Sequence, residues 1–218
     1  LKSAIGDAGL QSIAIVPVLG NISGGKNQTS PLGGATAGAQ SFIEALGEAA
    51  EDPSVVAIVV RVDSGGGDGL ASDLMYRAVL EAKKKKPVVA SMGDVAASGG
   101  YYVAMGADEI VASPTTLTGS IGVFFAKPAI KRLAEELGTT QISISRGKLA
   151  GITDAFEPWT DAQRAAAQSW IDDFYDSFIT EVSSSRKMTK ESVDAVARGR
   201  VWSGEDAKAK GLVDHLGG

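Results

Sequence analysis

The chain has 218 residues, 44% of them apolar, with a net charge of -5, one histidine and no cysteine. That is enough apolar material for one substantial core, so one domain, or one domain with a helical appendage, is expected. The acidic balance argues against nucleic acid as a partner, and no apolar run approaches the length of a membrane span.

The first strand signal is Ile13 to Val18, followed by a stretch from Gly20 to Gly38 rich in Gly, Asn, Ser and Thr that reads as a loop. Thr36 to Ala50 reads as a helix with Phe42, Ile43 and Leu46 on its apolar face, ended by Asp52-Pro53. Val55 to Val62 is a strong strand pattern that runs into the glycine turn Asp63-Ser64-Gly65-Gly66-Gly67-Asp68-Gly69. Asp63 and Asp68 read as turn carboxylates that satisfy local N–H groups, since the ligand pattern of a calcium loop is absent. No Lys-Ser or Lys-Thr pair follows the glycines and no Gly-x-Gly-x-x-Gly is present, which argues against a phosphate cradle.

A helical pattern from Leu70 to Ala82 ends in Lys83-Lys84-Lys85-Lys86, favourable charge at a helix C-terminus, with contact to anionic lipid as the functional alternative. Pro87 to Ser91 then reads as a buried strand leading into Met92-Gly93-Asp94-Val95-Ala96-Ala97-Ser98-Gly99-Gly100-Tyr101-Tyr102. Further on, Pro158 to Ser184 is a long helical stretch with Thr160-Asp161 as its cap. It carries an aromatic stripe of Trp159, Trp170, Phe174, Tyr175 and Phe178, read as core or subunit interface. A short helix from Lys190 to Arg198 follows, and Ser203-Gly204-Glu205-Asp206 caps a last helix through Lys210. Strands alternating with helices indicate an α/β fold with a mainly parallel sheet.

The chemistry concentrates at Ser98, which sits where a strand meets a helix start between small residues. The N–H of Gly99 points toward charge developing beside the serine oxygen, and the glycine turn at Gly66 and Gly67 ends the neighbouring strand. In a parallel sheet both loops converge beyond the carboxyl ends of the strands, the arrangement an oxyanion hole needs. The competing reading is a tightly packed helix start beside a flexible turn. His215, three residues from the C-terminus, reads as a surface residue, so a serine enzyme here needs another base, for which lysine is the usual substitute. No His, Cys or carboxylate cluster suits a metal, and no cofactor is expected.

Met92 to Tyr102, Asp63 to Gly67 and Leu117-Thr118-Gly119-Ser120-Ile121-Gly122-Val123 together resemble the signal peptide peptidase A family, the protease IV group of Ser-Lys peptidases. The resemblance spans most of the chain, from Ile13 to the closing segment Gly199 to Asp214. It implies a Clp protease/crotonase-like fold of repeated strand-strand-helix units with a helical extension. It also implies a catalytic Ser98 with the Gly67 and Gly99 N–H groups as oxyanion donors. Substrate would bind around Gly66, Leu70, Met92, Ser120 and Val123, by strand addition of apolar peptides such as remnant signal peptides.

One position departs from the pattern: Ala150 stands where short family members carry the lysine. The chain therefore resembles the C-terminal repeat of a long two-repeat member, whose base comes from a partner repeat or from a second copy in a homo-oligomer. Lys148 through a shifted loop is the alternative base, Lys127 a further candidate, and a short enzyme with alanine in place of the lysine a third possibility. Leu1 in place of Met points to a missing anchor or preceding repeat, and the resemblance implies association with the bacterial inner membrane, facing the periplasm or cell exterior. Two readings from other classes stay open: a crotonase-like acyl-CoA enzyme and a non-catalytic assembly or peptide-binding repeat.

Overall fold

The computed structural model describes residues 11–30 and 34–217, which fall into two compact units: one runs through Gly122 and resumes at Ile179, the other is Val123–Phe178. The first unit begins with β1 (Ser12–Leu19), β2 (Asn21–Ser23), β3 (Gln28–Ser30), β4 (Gly34–Gly38), α1 (Ala39–Glu51) and β5 (Val55–Ser64). It continues with α2 (Gly69–Lys83), β6 (Val88–Ala97), α3 (Gly99–Ala104), β7 (Glu109–Ala112) and β8 (Leu117–Gly119). The second unit holds α4 (Lys131–Glu136) and α5 (Asp161–Arg186) as far as Phe178. The rest of α5, then α6 (Lys190–Val196), β9 (Val201–Ser203), α7 (Gly204–Ala209) and β10 (His215–Leu216) return to the first.

The main sheet has the order β1-β5-β6-β7-β10 with every neighbour parallel, and the far half of β6 also pairs in parallel with β8, which β9 joins antiparallel. The core follows the strand period: Val16 and Val18 of β1, Ile58, Val60 and Val62 of β5, and Val88, Ala90 and Met92 of β6 are buried. The apolar stripes of the helices are buried with them, Phe42 and Leu46 on α1, Met75 and Val79 on α2, and Tyr101 and Val103 on α3. Each such aliphatic or aromatic side chain contributes about 1.5–3 kcal/mol on burial. On the other face of β1, Ile13 and Ile15 remain more than half exposed.

Several boundaries differ from expectation. The stretch from Gly20 to Gly38 is not a loop: β2 pairs parallel and β3 antiparallel with β4 in a separate small sheet. Its strands are short and carry only one large apolar residue, Ile22, which is fully buried, so no periodicity announces them. Polar pairing holds them instead, as where the Gly38 N–H donates to Asn27 Oδ1 at 2.8 Å. The expected helix start at Thr36 is therefore three residues too early, because Thr36 to Gly38 belong to β4 and α1 begins at Ala39. The strand expected to end at Ser91 continues to Ala97, across Gly93, and the helix expected to reach Arg198 ends at Val196.

The four-lysine run is structural. Lys84 Nζ lies 2.5 Å from Glu81, Lys85 pairs with Glu51, and Lys86 Nζ donates to the Ala49 carbonyl at 2.8 Å and to that of Asp52. Lys83 Nζ is 3.6 Å from Asp108. Lys85 and Lys86 thereby tie the end of α2 to the end of α1, and Lys83 ties it to the segment before β7.

A clasp secures the end of the chain. Arg186 donates through both terminal nitrogens to the Asp214 carboxylate, which also accepts the Ile110 N–H at 2.8 Å, while the buried Tyr101 hydroxyl donates to the Leu212 carbonyl at 2.9 Å. Partial burial opposes the charge on Asp214, but the Arg186 and Ile110 hydrogen bonds outweigh it and hold the carboxyl below its usual range. A carboxyl depressed in the folded state contributes stability that is present above its unfolded pKa and lost as pH falls through the folded one. Asp214→Asn is thus expected to lower the melting temperature at neutral pH. As pH falls below ~4 the carboxyl of the unfolded chain takes up its proton first, so the gap to the parent should narrow from there. A gap that stays constant from pH 7 to pH 3 would remove the clasp from the acid response.

Candidate active site

The sheet bends where the site forms. Val62 of β5 pairs with Met92 of β6, but Ser64 pairs with Ala96, so β6 spends four residues against two of its neighbour. Gly93 allows this: a Cβ there would lie 2.9 Å from the Asp63 side chain, and the Gly93 carbonyl accepts from buried Thr116 Oγ1 at 2.8 Å. Asp63 Oδ1 takes up the Val95 N–H at 3.1 Å. The irregularity carries the last residues of β6 away from β7 and onto β8, where Ala97 pairs with Gly119.

Ser98 follows at once, with φ 52 and ψ -119, a conformation sparsely populated by residues other than glycine. It is held there from both sides. Its N–H donates to the Gly119 carbonyl at 2.9 Å, and its carbonyl accepts from Tyr102 in α3 at 2.9 Å. Its hydroxyl makes no capping bond to α3. A serine forced into a sharp strand-to-helix turn presents its oxygen outward, the geometry of a nucleophile elbow.

The glycine turn after β5 packs directly on this elbow. A Cβ on Gly66 would come 2.5 Å from the Gly99 nitrogen and 2.9 Å from Ser98 Cβ, and a Cβ on Gly99 would lie 3.3 Å from the Gly67 nitrogen. Ser64 Oγ, which donates to the Gly20 carbonyl at 2.6 Å, accepts the Gly66 N–H at 3.1 Å. Ile22 of β2 donates to the Gly66 carbonyl and accepts from Asp68, both at 2.9 Å. The Gly66 N–H is therefore spent, whereas among the described residues the Gly67 and Gly99 N–H groups have no acceptor. Asp68 caps α2 through Oδ1, 2.7 Å from the Ala71 nitrogen.

Of the other residues singled out from sequence, Ser120 follows Gly119 directly, has φ 49 and donates its N–H to the Arg200 carbonyl at 2.7 Å. Leu70 stands exposed on the first turn of α2, three residues beyond Gly67, whereas Met92 is only 2% exposed and lies in the core row of β6. Val123 and Lys148 belong to the second unit. There Lys148 is exposed and, with Ala150, Lys131, Glu135 and Gln163, lines a cleft of about 680 Å³ to which Ser98 does not contribute. Lys127 is occupied, donating to the carbonyls of Asp154 and Glu157. His215 sits on β10 beside Glu109 at 3.1 Å, level with Val111 of β7 and so with Ser91 of β6, well back along the strand from Ser98.

Two buried serines, Ser64 and Ser72, went unremarked in the sequence although both support the glycine turn. Ser72 carried a signal: it is a polar residue within the stripe that Met75, Val79 and Ala82 bury on α2. The helix behind Ser98 is electrically quiet. Burial and the nearby Asp73 push the Tyr102 phenol well above its ordinary pKa, so it stays neutral, donating to Asp73 at 3.3 Å and meeting Tyr76 edge to face at 5.4 Å.

The fold is that of the ClpP class. A ClpP1 mutant from Listeria monocytogenes matches with a TM-score of 0.58 over 93% of this chain and 90% of its own, at 15% identity. Residues 81–218 match Peptidase family S49, and the chain belongs to that family. It is 43% identical over 211 residues to the chloroplastic serine protease SPPA of Arabidopsis thaliana, covering 96% of this chain and 31% of that protein. Protease 4 of Salmonella typhi is 43% identical over 210 residues, 94% of this chain and 32% of the relative. A putative signal peptide peptidase SppA of Enterococcus faecium is 32% identical over 179 residues, 82% of this chain and 52% of that one. The chain thus spans about a third of the length of the first two relatives.

Proposed function

We propose that this chain is a serine peptidase repeat in which Ser98 is the nucleophile and the N–H groups of Gly67 and Gly99 hold the oxyanion. The observation that carries this reading is the pairing of a strained Ser98 with two adjacent N–H groups that lack acceptors among the described residues. Ser98 Oγ bonds to the peptide carbonyl carbon as its proton passes to a neutral lysine. The tetrahedral intermediate collapses with cleavage of the C–N bond, the lysine returns the proton to the leaving amine, and water then releases the acyl group by the same route. Because Ala150 stands at the family's lysine position, the base comes from a second repeat or a second copy, with Lys148 as the alternative within this sequence.

The substrate is an extended apolar peptide such as a remnant signal peptide, added as a strand beside the Gly65 to Gly67 turn with Leu70 and Ser120 at its sides. The exposed Trp170 suits a subunit interface in a homo-oligomer, whereas Phe178 of the same stripe is buried in the core. Among the described residues no helix is long and apolar enough to cross a membrane, so placement at the periplasmic side of a bacterial inner membrane rests on family resemblance.

Turnover of a fluorogenic apolar peptide across alkaline pH, with Lys148→Ala measured beside the parent, tests the source of the base. Activity that survives Lys148→Ala with a loss below about twofold assigns the base to another repeat or copy, whereas a loss of ~10²-fold or more makes Lys148 the base. A parent chain that binds the peptide without cleaving it, alone or with its partner repeat, supports an assembly or peptide-binding repeat instead.

A further inference from the structure

Ser72 is a buried side chain that lies against both loops of the proposed oxyanion hole. It lies on the first turns of α2 and is only 1% exposed. Its Oγ donates to the Asp68 carbonyl at 2.8 Å, and its own N–H donates to the same oxygen at 3.0 Å. Asp68 adjoins Gly67 and is fixed at its remaining polar groups too: its N–H is held by the Ile22 carbonyl and its carboxylate caps Ala71. The other side of the Ser72 hydroxyl faces α3, where a Cβ placed on Gly99 would fall 2.4 Å from Ser72 Oγ. The same point in space is 3.2 Å from Gly66 Cα and 3.3 Å from the Gly67 nitrogen. One buried hydroxyl thus ties down the residue that follows one donor and fills the space against the residue that carries the other.

We propose that Ser72 is a positioning residue that sets the separation and aim of the Gly67 and Gly99 N–H groups. This rests on the peptidase reading above. A helical serine bonded four residues back is common and by itself carries no function. What distinguishes Ser72 is the contact with Gly99 on its other side. Removing the oxygen frees the Asp68 carbonyl from one of its two donors and opens a gap the size of one atom between the loops. The Gly67 and Gly99 N–H groups can then drift relative to each other, and donors aimed at a developing charge lose most of their value when misplaced by a fraction of an ångström. Substrate binding by strand addition does not use Ser72, so the loss falls on the reacting state alone.

The test is Ser72→Ala, checked for folding by its thermal transition and read in two ways. The first is the rate at which a fluorophosphonate labels Ser98. The second is the affinity for an apolar peptide aldehyde, whose adduct places an oxygen in the hole, against that for the same peptide as its amide, which does not. Ten- to hundredfold slower labelling, with aldehyde affinity down by a similar factor and amide affinity within twofold, is the expected result. Labelling at the parent rate, or equal losses for aldehyde and amide, overturns the positioning role and leaves Ser72 a packing residue. A parent chain whose Ser98 does not label, alone or with its partner repeat, overturns the peptidase reading itself, and the role of Ser72 falls with it. Should Ser72→Ala fail to fold, the aldehyde-to-amide ratio of Ser72→Thr, which keeps the oxygen and adds a methyl group to the crowded side, is expected to fall in the same sense.

Discussion

Ser98→Ala is expected to abolish fluorophosphonate labelling and to lower turnover by the competent assembly ~10⁴-fold or more, the loss typical when a nucleophile acting in concert with its base is removed. Peptide binding should survive, because the glycine turn and Leu70 are untouched. The same position tests the strain. Alanine has no easier access than serine to φ 52 and ψ -119, so Ser98→Ala should leave stability nearly unchanged, whereas Ser98→Gly should raise it by about 1 kcal/mol. A glycine variant no more stable than the alanine variant in denaturant unfolding would show that the turn costs nothing and that the elbow is not a strained nucleophile support.

The second large effect is expected at Gly66. Its φ of 99 already disfavours any side chain, and a Cβ would press on the Gly99 nitrogen at 2.5 Å and the Ala97 carbonyl at 3.1 Å. Both are backbone atoms of the elbow and cannot swing aside. Gly66→Ala should therefore cost about 3 kcal/mol or more of folding stability and at least ~10²-fold in Ser98 labelling, because the clash separates the two loops. Gly47 on α1, where an added Cβ would meet no atom within 4 Å, provides the control, since Gly47→Ala should be neutral or stabilising by up to about 1 kcal/mol. Urea unfolding of the two variants side by side separates the outcomes. A Gly66→Ala protein as stable and reactive as its parent would dissolve the contact on which the site is built.

How much of this was legible in the sequence depends on the range of the forces involved. The elbow at Ser98 and the turn at Gly65 to Gly67 were readable because each is written locally, as a β-branched run followed by small residues. Their convergence was readable from the rule for parallel sheets, and the structure places Gly66 against Gly99 accordingly. The caps at Thr160 and Ser203 were equally local: Thr160 Oγ1 accepts from Gln163 at 3.2 Å and Ser203 Oγ from Asp206 at 3.0 Å.

What escaped was set by distant partners. The small sheet of β2, β3 and β4 is held by pairing between polar strands of three to five residues, whose composition matches that of a loop. The extension of β6 past Ser91 depends on β8, some twenty residues later, offering a new edge after the bulge. Gly66 and Gly67 look equivalent in local sequence, so Gly67 was singled out through the family resemblance, and the structure adds that the Ser64 hydroxyl takes up the Gly66 N–H. Ser72 was hidden for a similar reason, since its contact with Gly99 joins residues on different helices.

The pairing of β8 with β9 bears on when the site matures during synthesis. Ser98 is held by the Gly119 carbonyl, and β8 is itself completed by β9, with Arg200 accepting from Ser120 and Val201 opposite Gly119. A ribosome that has just added Ser98 still has about a hundred residues to add before that strand can dock. At typical elongation rates that interval is roughly 5–20 s. Throughout it the serine lacks the finished ledge that fixes its turn. Ser98 thus reaches its final turn only after the segment through Ser203 has emerged and β9 has docked on β8.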